Sequence, residues 1–181
     1  TLVITPAPEI TKGRHPWIWD AVTGERFRVE APSDTLTLEL GPADSRMILF
    51  DRKGGGPVYR PLPTGAAGSA TLGGWTAEFR HVDGTVKQMD FPELKDVKDI
   101  ESMQGFAGTI IYRTRIGTSG KVPRYLNLGK VSGVCEVMVN GGSLGARWFG
   151  SRVYDLQGKL AAADNALEVR VVTVLGTYLK T

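Results

Sequence analysis

Val134-Cys135-Glu136-Val137-Met138-Val139-Asn140-Gly141-Gly142-Ser143-Leu144-Gly145 decides the fold class. Val137 and Val139 alternate with polar or larger partners at period two, the mark of a strand with one face in a core. Asn140-Gly141 then supplies the two adjacent positive-φ residues that a tight hairpin turn demands. Val137, Val139 and Leu144 are expected to face inward, and Gly145 is expected to end the hairpin.

Working outward, the same grammar repeats. Trp75, Ala77 and Phe79 alternate with Thr76, Glu78 and Arg80, and Asp83-Gly84 follows as a turn. Further strands are expected over Phe106 to Ile116, Arg124 to Leu128, Ser143 to Phe149, Ser151 to Leu156 and Ala166 to Leu175. Residues 91–104 are the one excursion from strand in this half. About eight strands at regular spacing over 74–181 predict an all-β sandwich. Upstream, Leu36, Leu38 and Leu40 alternate with polar residues, Arg46 to Phe50 is a strand-length apolar run, and Thr23-Gly24 marks a turn between two short strands. Residues 1–60 therefore form a small β-rich segment, 61–73 a linker or loop rich in Gly, Pro and Ser, and 74–181 the main domain. The Gly54-Gly55-Gly56 run reads as flexible chain.

Composition narrows the function. The net charge of +3 comes from scattered Lys and Arg with no basic run, which argues against a nucleic-acid surface. No apolar stretch approaches the length of a transmembrane helix. The one cysteine, Cys135, sits in an apolar strand and reads as a core residue. Two histidines, His15 and His81, far apart in sequence, make a zinc site a poor expectation. There is no Gly-x-Ser-x-Gly elbow and no phosphate loop before a helix. Asp44 with Asp51, and Asp96 with Asp99 and Glu101, read as solvated loop carboxylates.

Four phrases go beyond pattern: Phe106 to Arg113, Tyr125-Leu126-Asn127-Leu128-Gly129-Lys130-Val131, Val137 to Gly145 with Trp148 just after, and Asn165-Ala166-Leu167-Glu168-Val169-Arg170-Val171. In order and spacing they resemble the sugar-binding jelly-roll domain of glycoside hydrolase family 2, and most of all the C-terminal version in family 106 rhamnosidase-like enzymes. Asp20 to Arg26 and Leu40 to Phe50 resemble the β-rich piece before that domain. The loop Arg147 to Arg152 departs from the Gly-rich, Pro-Phe form of family 2.

The resemblance implies a galactose-binding-like jelly roll and a non-catalytic carbohydrate-binding module of a larger glycoside hydrolase. The chain opens at Thr1 without a Met or a signal peptide, as an excised fragment would. Its partners would be a polysaccharide or oligosaccharide and the parent's catalytic domain, with no nucleic acid and no membrane. The unit would be a monomer, secreted or periplasmic. No redox or organic cofactor is implied; structural calcium is the one ion left open, without EF-hand spacing to support it. Sugar binding asks for an exposed ring beside planar polar side chains. Two segments supply that mixture: Arg147, Trp148, Phe149, Arg152, Tyr154 and Asp155, and His15, Trp17, Trp19 and Asp20. Trp148, Arg147, Arg152, Tyr154, Asp155, Trp17 and Trp19 are the expected contacts. The rival readings are a structural domain that braces the catalytic barrel and an independent small hydrolase. For the latter, no cue picks a catalytic pair of carboxylates. Tyr178 would pack on the N-terminal segment or on a missing neighbour.

Overall fold

A computed structural model describes residues 1–21, 24–30, 35–40, 45–61, 68–118 and 122–176. Thr23, residues 62–67 of the expected linker and Tyr178 lie outside the described residues. The chain divides into two compact units, Thr1–Gly65 and Ala66–Thr181.

In the first unit, β1 (Leu2–Ile4) is followed by one helical turn, α1 (Pro8–Thr11), then β2 (His15–Trp19), β3 (Arg26–Arg28), β4 (Leu36–Leu38) and β5 (Met47–Asp51). The helical turn was not expected; Pro8 at its start is the signal that marks it. β1 pairs with β4, and β2 lies between β3 and β5, both antiparallel. Leu36 and Leu38 are buried and Thr37 is exposed, as the alternation predicts. Trp17 and its neighbour Ile18 are both buried, so β2 is covered on both faces. The glycine run is not free chain. A Cβ on Gly56 would stand 2.6 Å from the Trp17 ring, and one on Gly54 would stand 2.9 Å from the His15 imidazole. Trp17 also donates from Nε1 to the Lys53 carbonyl at 3.1 Å. The Gly-rich segment thus lies close over two β2 side chains, and glycine is what the close approach requires.

The second unit is built on β6 (Trp75–His81), β7 (Val86–Phe91), β8 (Gly108–Ile116), β9 (Tyr125–Asn127), β10 (Val134–Val139), β11 (Gly142–Arg147), β12 (Val153–Asp155) and β13 (Asn165–Val172). Six strands form one antiparallel sheet in the order β11-β10-β13-β8-β6-β7, and β12 pairs with β9 apart from it. The excursion over 91–104 contains two single 3₁₀ turns, Val97–Asp99 and Glu101–Met103. One sheet face carries Trp75, Ala77, Phe79, Ile110, Tyr112, Val137, Val139, Leu167 and Val169. These form a single buried cluster with Met103, Phe106, Leu126, Tyr154 and Leu156 from the layer that covers them. The all-β fold with several antiparallel sheets is therefore as the sequence predicts.

The hairpin that opened the sequence argument has the predicted turn, with φ of 51° at Asn140 and 81° at Gly141. Gly145 does not end the hairpin. It lies inside β11 with φ of 94°, where the register with β10 shifts between Glu136 and Met138. A strand bulge of this kind favours glycine. The two asparagines of the sequence motifs meet: Asn140 donates from Nδ2 to Oδ1 of Asn165 at 2.7 Å, and its own Oδ1 accepts from the Ala166 N–H at 3.0 Å. Asn165 is fully buried, yet its amide reaches the carbonyls of Ile116, Ala161 and Ala163 and its oxygen accepts the Ala161 N–H. The motif asparagines therefore tie the β10–β11 turn to the start of β13.

The opposite sheet face is a ladder of charge. Arg80 bonds Glu78, Arg113 reaches Glu78 at 3.4 Å and Glu168 at 2.9 Å, and Arg170 bonds Glu168 at 2.7 Å. Ile111, flanked by Glu78 and Arg170 in the register, is buried on this same face. Glu78 is held below the usual carboxylate range by the hydrogen bond from Arg80, with Arg113 adding to it. Glu168 is raised by burial, but the hydrogen bonds from Arg170 and Arg113 together outweigh that and leave it lowered. A lowered folded-state pKa stabilises the fold above the unfolded value of about 4.3, and the benefit is lost as pH falls through the folded value. Arg113→Gln is therefore expected to destabilise at pH 7, with a deficit in urea midpoint that shrinks towards pH 3. A deficit that stays constant over that range would place the role of Arg113 in packing rather than charge.

Candidate functional site

β11 ends at Arg147, and the chain loops through Trp148, Phe149, Gly150, Ser151 and Arg152 into β12. Trp148 stands 68% exposed. Its ring meets that of Phe149 edge-on at 4.7 Å, so the half-buried Phe149 braces it from below. Arg147 folds back instead of outward. Its Nη1 donates to the Ser151 carbonyl at 2.9 Å, and its guanidinium carbon lies 4.7 Å from the Tyr154 ring centroid. That is a cation–π contact on a buried ring.

Two of the expected contacts, Arg152 and Tyr154, are buried. Tyr154 is buried: its register partner across β9 is Leu126, and both side chains belong to the core. Its hydroxyl contacts the Cys135 thiol at 3.4 Å. Burial pushes that hydroxyl's pKa up, the hydrogen bond with Cys135 adds to the rise, and the charges of Arg147 and Arg152 pull it down by less. Arg152 is only 8% exposed. It donates from Nη1 to the Gly150 carbonyl at 3.1 Å and from Nη2 to the Gly133 carbonyl at 3.5 Å, while its Nε has no partner. Asp155 is exposed, 3.5 Å from Arg124, and its Oδ1 accepts the Gln157 N–H.

The expected Trp17 and Trp19 pair also separates. Trp17 is 4% exposed and belongs to the core of the first unit. Trp19 is 42% exposed, with Nε1 donating to the Gly24 carbonyl at 3.0 Å. Period two places both rings on one side of β2, but the 53–57 segment lies over Trp17. Of the seven expected contacts, Trp148, Trp19 and Asp155 are exposed, Arg147 is half-buried, and Trp17, Arg152 and Tyr154 are buried.

One feature escaped the sequence. An open cleft of 740 Å³ lies at one end of the charged sheet face, lined by Gly73, Thr76, Arg113, Met138 and Glu168 among others. It is assembled from the register of four strands, so no local motif announces it. No aromatic ring lines it. Of the ladder's carboxylates Glu168 lines the cleft, and against the rise from burial the hydrogen bonds from Arg170 and Arg113 hold it below the usual carboxylate range. Among the described residues, no group of three His, Cys, Asp or Glu side chains is placed to hold a metal ion.

Known proteins share the fold of this chain. A rhamnosidase from Novosphingobium sp. PP1Y superimposes on 93% of the chain with a TM-score of 0.71 at 22% identity, over 17% of the rhamnosidase. At that identity the likeness is one of fold, and it extends over most of the chain. In sequence the chain is similar to a protein of Formosa agariphila whose β-glucuronidase name is provisional. It is 29% identical over 109 residues, which is 56% of this chain and 9% of the relative. No protein-family model matches. The resemblance to glycoside hydrolases drawn from the sequence thus stands, and the chain spans only a small part of the length of the proteins it matches.

Proposed function

We propose that the chain is a non-catalytic carbohydrate-binding part of a larger secreted or periplasmic glycoside hydrolase. On this reading the second unit is a galactose-binding-like jelly roll, the first is the end of a preceding β-rich segment, and loop 147–152 meets the sugar. The observation that carries the proposal is Trp148, a large ring left in solvent and braced by Phe149. Such a ring stacks on the C–H face of a pyranose. The small share of the related hydrolases that the chain covers supports an accessory role.

Affinity electrophoresis against a panel of xylans, glucans, pectins and galactans tests it. Trp148→Ala is expected to weaken retardation by about tenfold, the loss of one stacked ring at about 1.4 kcal/mol. Its melting temperature should stay that of the wild type, since the ring is exposed. Trp19→Ala serves as the control in the other unit. A well-folded chain that binds nothing on the panel would favour the bracing role instead. The exposed Val172, Val174 and Leu175 at the end of β13 give that second reading its footing.

A further inference from the structure

The arginines of this chain sort by environment. Arg26, Arg28, Arg80, Arg113, Arg124 and Arg170 each face a carboxylate within 4.0 Å. Arg14, Arg52, Arg60 and Arg115 are exposed, where water solvates the charge. Arg46 is half-buried and donates to the Ser45 carbonyl. Arg147 is half-buried and Arg152 is buried, and within the 147–152 loop neither has an acidic partner among the described residues. Both donate to main-chain carbonyls, and Arg152 keeps a buried Nε with no acceptor. Of the carboxylates on β10 and β12, Asp155 pairs with Arg124, and Glu136 accepts from the Ser143 hydroxyl.

Withdrawing guanidinium groups from water without a counter-charge is costly, because a neutral carbonyl offsets only part of the lost hydration. The loop that bears this excess of positive charge also carries Trp148. We propose that loop 147–152 selects sugars bearing an anionic group, with Trp148 taking the pyranose face, the half-buried Arg147 supplying donors to the anion and the buried Arg152 adding to the positive field behind it. A ring carboxylate or a sulfate ester satisfies the same chemistry, since both present planar or clustered oxygens to a guanidinium fork. The inference rests on the carbohydrate-binding reading above and adds the class of ligand.

The experiment compares each acidic polysaccharide with a neutral counterpart on the same backbone. Polygalacturonate is set against its methyl ester, glucuronoxylan against unsubstituted xylan, and dextran sulfate against dextran. The expected result is at least tenfold tighter binding of the acidic member in one pair, weakening steeply between 50 and 500 mM NaCl as charges are screened. A carboxylate pair or the sulfate pair responding alone identifies the source of the anion. Arg147→Gln, the less buried change, should cut the acidic-to-neutral ratio, and Trp148→Ala should weaken both members equally. Equal binding of acidic and neutral members overturns this inference and leaves the carbohydrate-binding proposal standing. Binding to none of the polymers overturns both. An Arg147→Gln variant that melts lower yet keeps the wild-type ratio would make the arginines purely structural and also overturn the inference.

Discussion

Phe79→Ala is expected to cost about 3–5 kcal/mol, the range for emptying a fully buried aromatic site. Phe79 is 1% exposed on β6, with β7 on one side and β8 on the other. Its ring meets Phe106 at 5.5 Å and both Phe91 and Tyr112 at 6.4 Å, all edge-on. Those three rings come from β7, the approach to β8 and β8 itself, so the void cannot close by moving one side chain. A domain of this size has about 5–15 kcal/mol in total, so the variant should stand near the edge of folding. Urea unfolding measures it, with Phe79→Leu expected to recover most of the loss. A cost below about 1.5 kcal/mol would mean that β7 collapses into the space and that the cluster is less rigid than described.

Asn165 offers the second large effect. Asn165→Ala removes an amide that serves the Asn140 side chain, the Ala161 N–H and three carbonyls, all buried or partly so. Each buried group left without a partner costs about 1–3 kcal/mol, so a loss of about 3 kcal/mol is expected even if some groups find substitutes. Asn165→Asp makes the argument sharper. A carboxylate would point one oxygen at carbonyls that now accept from Nδ2, and its pKa should rise above the ordinary aspartate value. The deficit should then be largest at neutral pH and shrink as the pH falls and the carboxyl regains a proton to donate. A deficit that does not depend on pH would show that the carbonyls turn away and that the amide is not their anchor.

The same two asparagines explain how much could be read in advance. Asn140-Gly141 announced a turn because its chemistry is local, and Val137, Val139 and Phe79 announced a core because burial on a strand has period two. That the two motif asparagines bond each other could not be read, since the contact needs β10 and β13 side by side. The site was less legible for the same reason. Trp148 stood out as an aromatic in a loop. Tyr154 lay on the strand expected over Ser151 to Leu156, and β12 turns it towards Leu126 and Cys135. Trp17 was lost to a glycine run whose close fit has no sequence periodicity. The ladder Arg80–Glu78–Arg113–Glu168–Arg170 has members from three strands and no motif at all.

The complete burial of Cys135 has a practical consequence. It is the chain's one thiol and it belongs to the second unit alone. A thiol enclosed in this way reacts with an alkylating reagent only when the surrounding structure opens. The rate of mass gain under pulsed alkylation therefore reports opening of the second unit, while spectroscopic melting of the whole chain sums over both. The protein thus carries its own internal clock for one half of itself, and the unit whose loop carries Trp148 can be timed in isolation without cutting it from its neighbour.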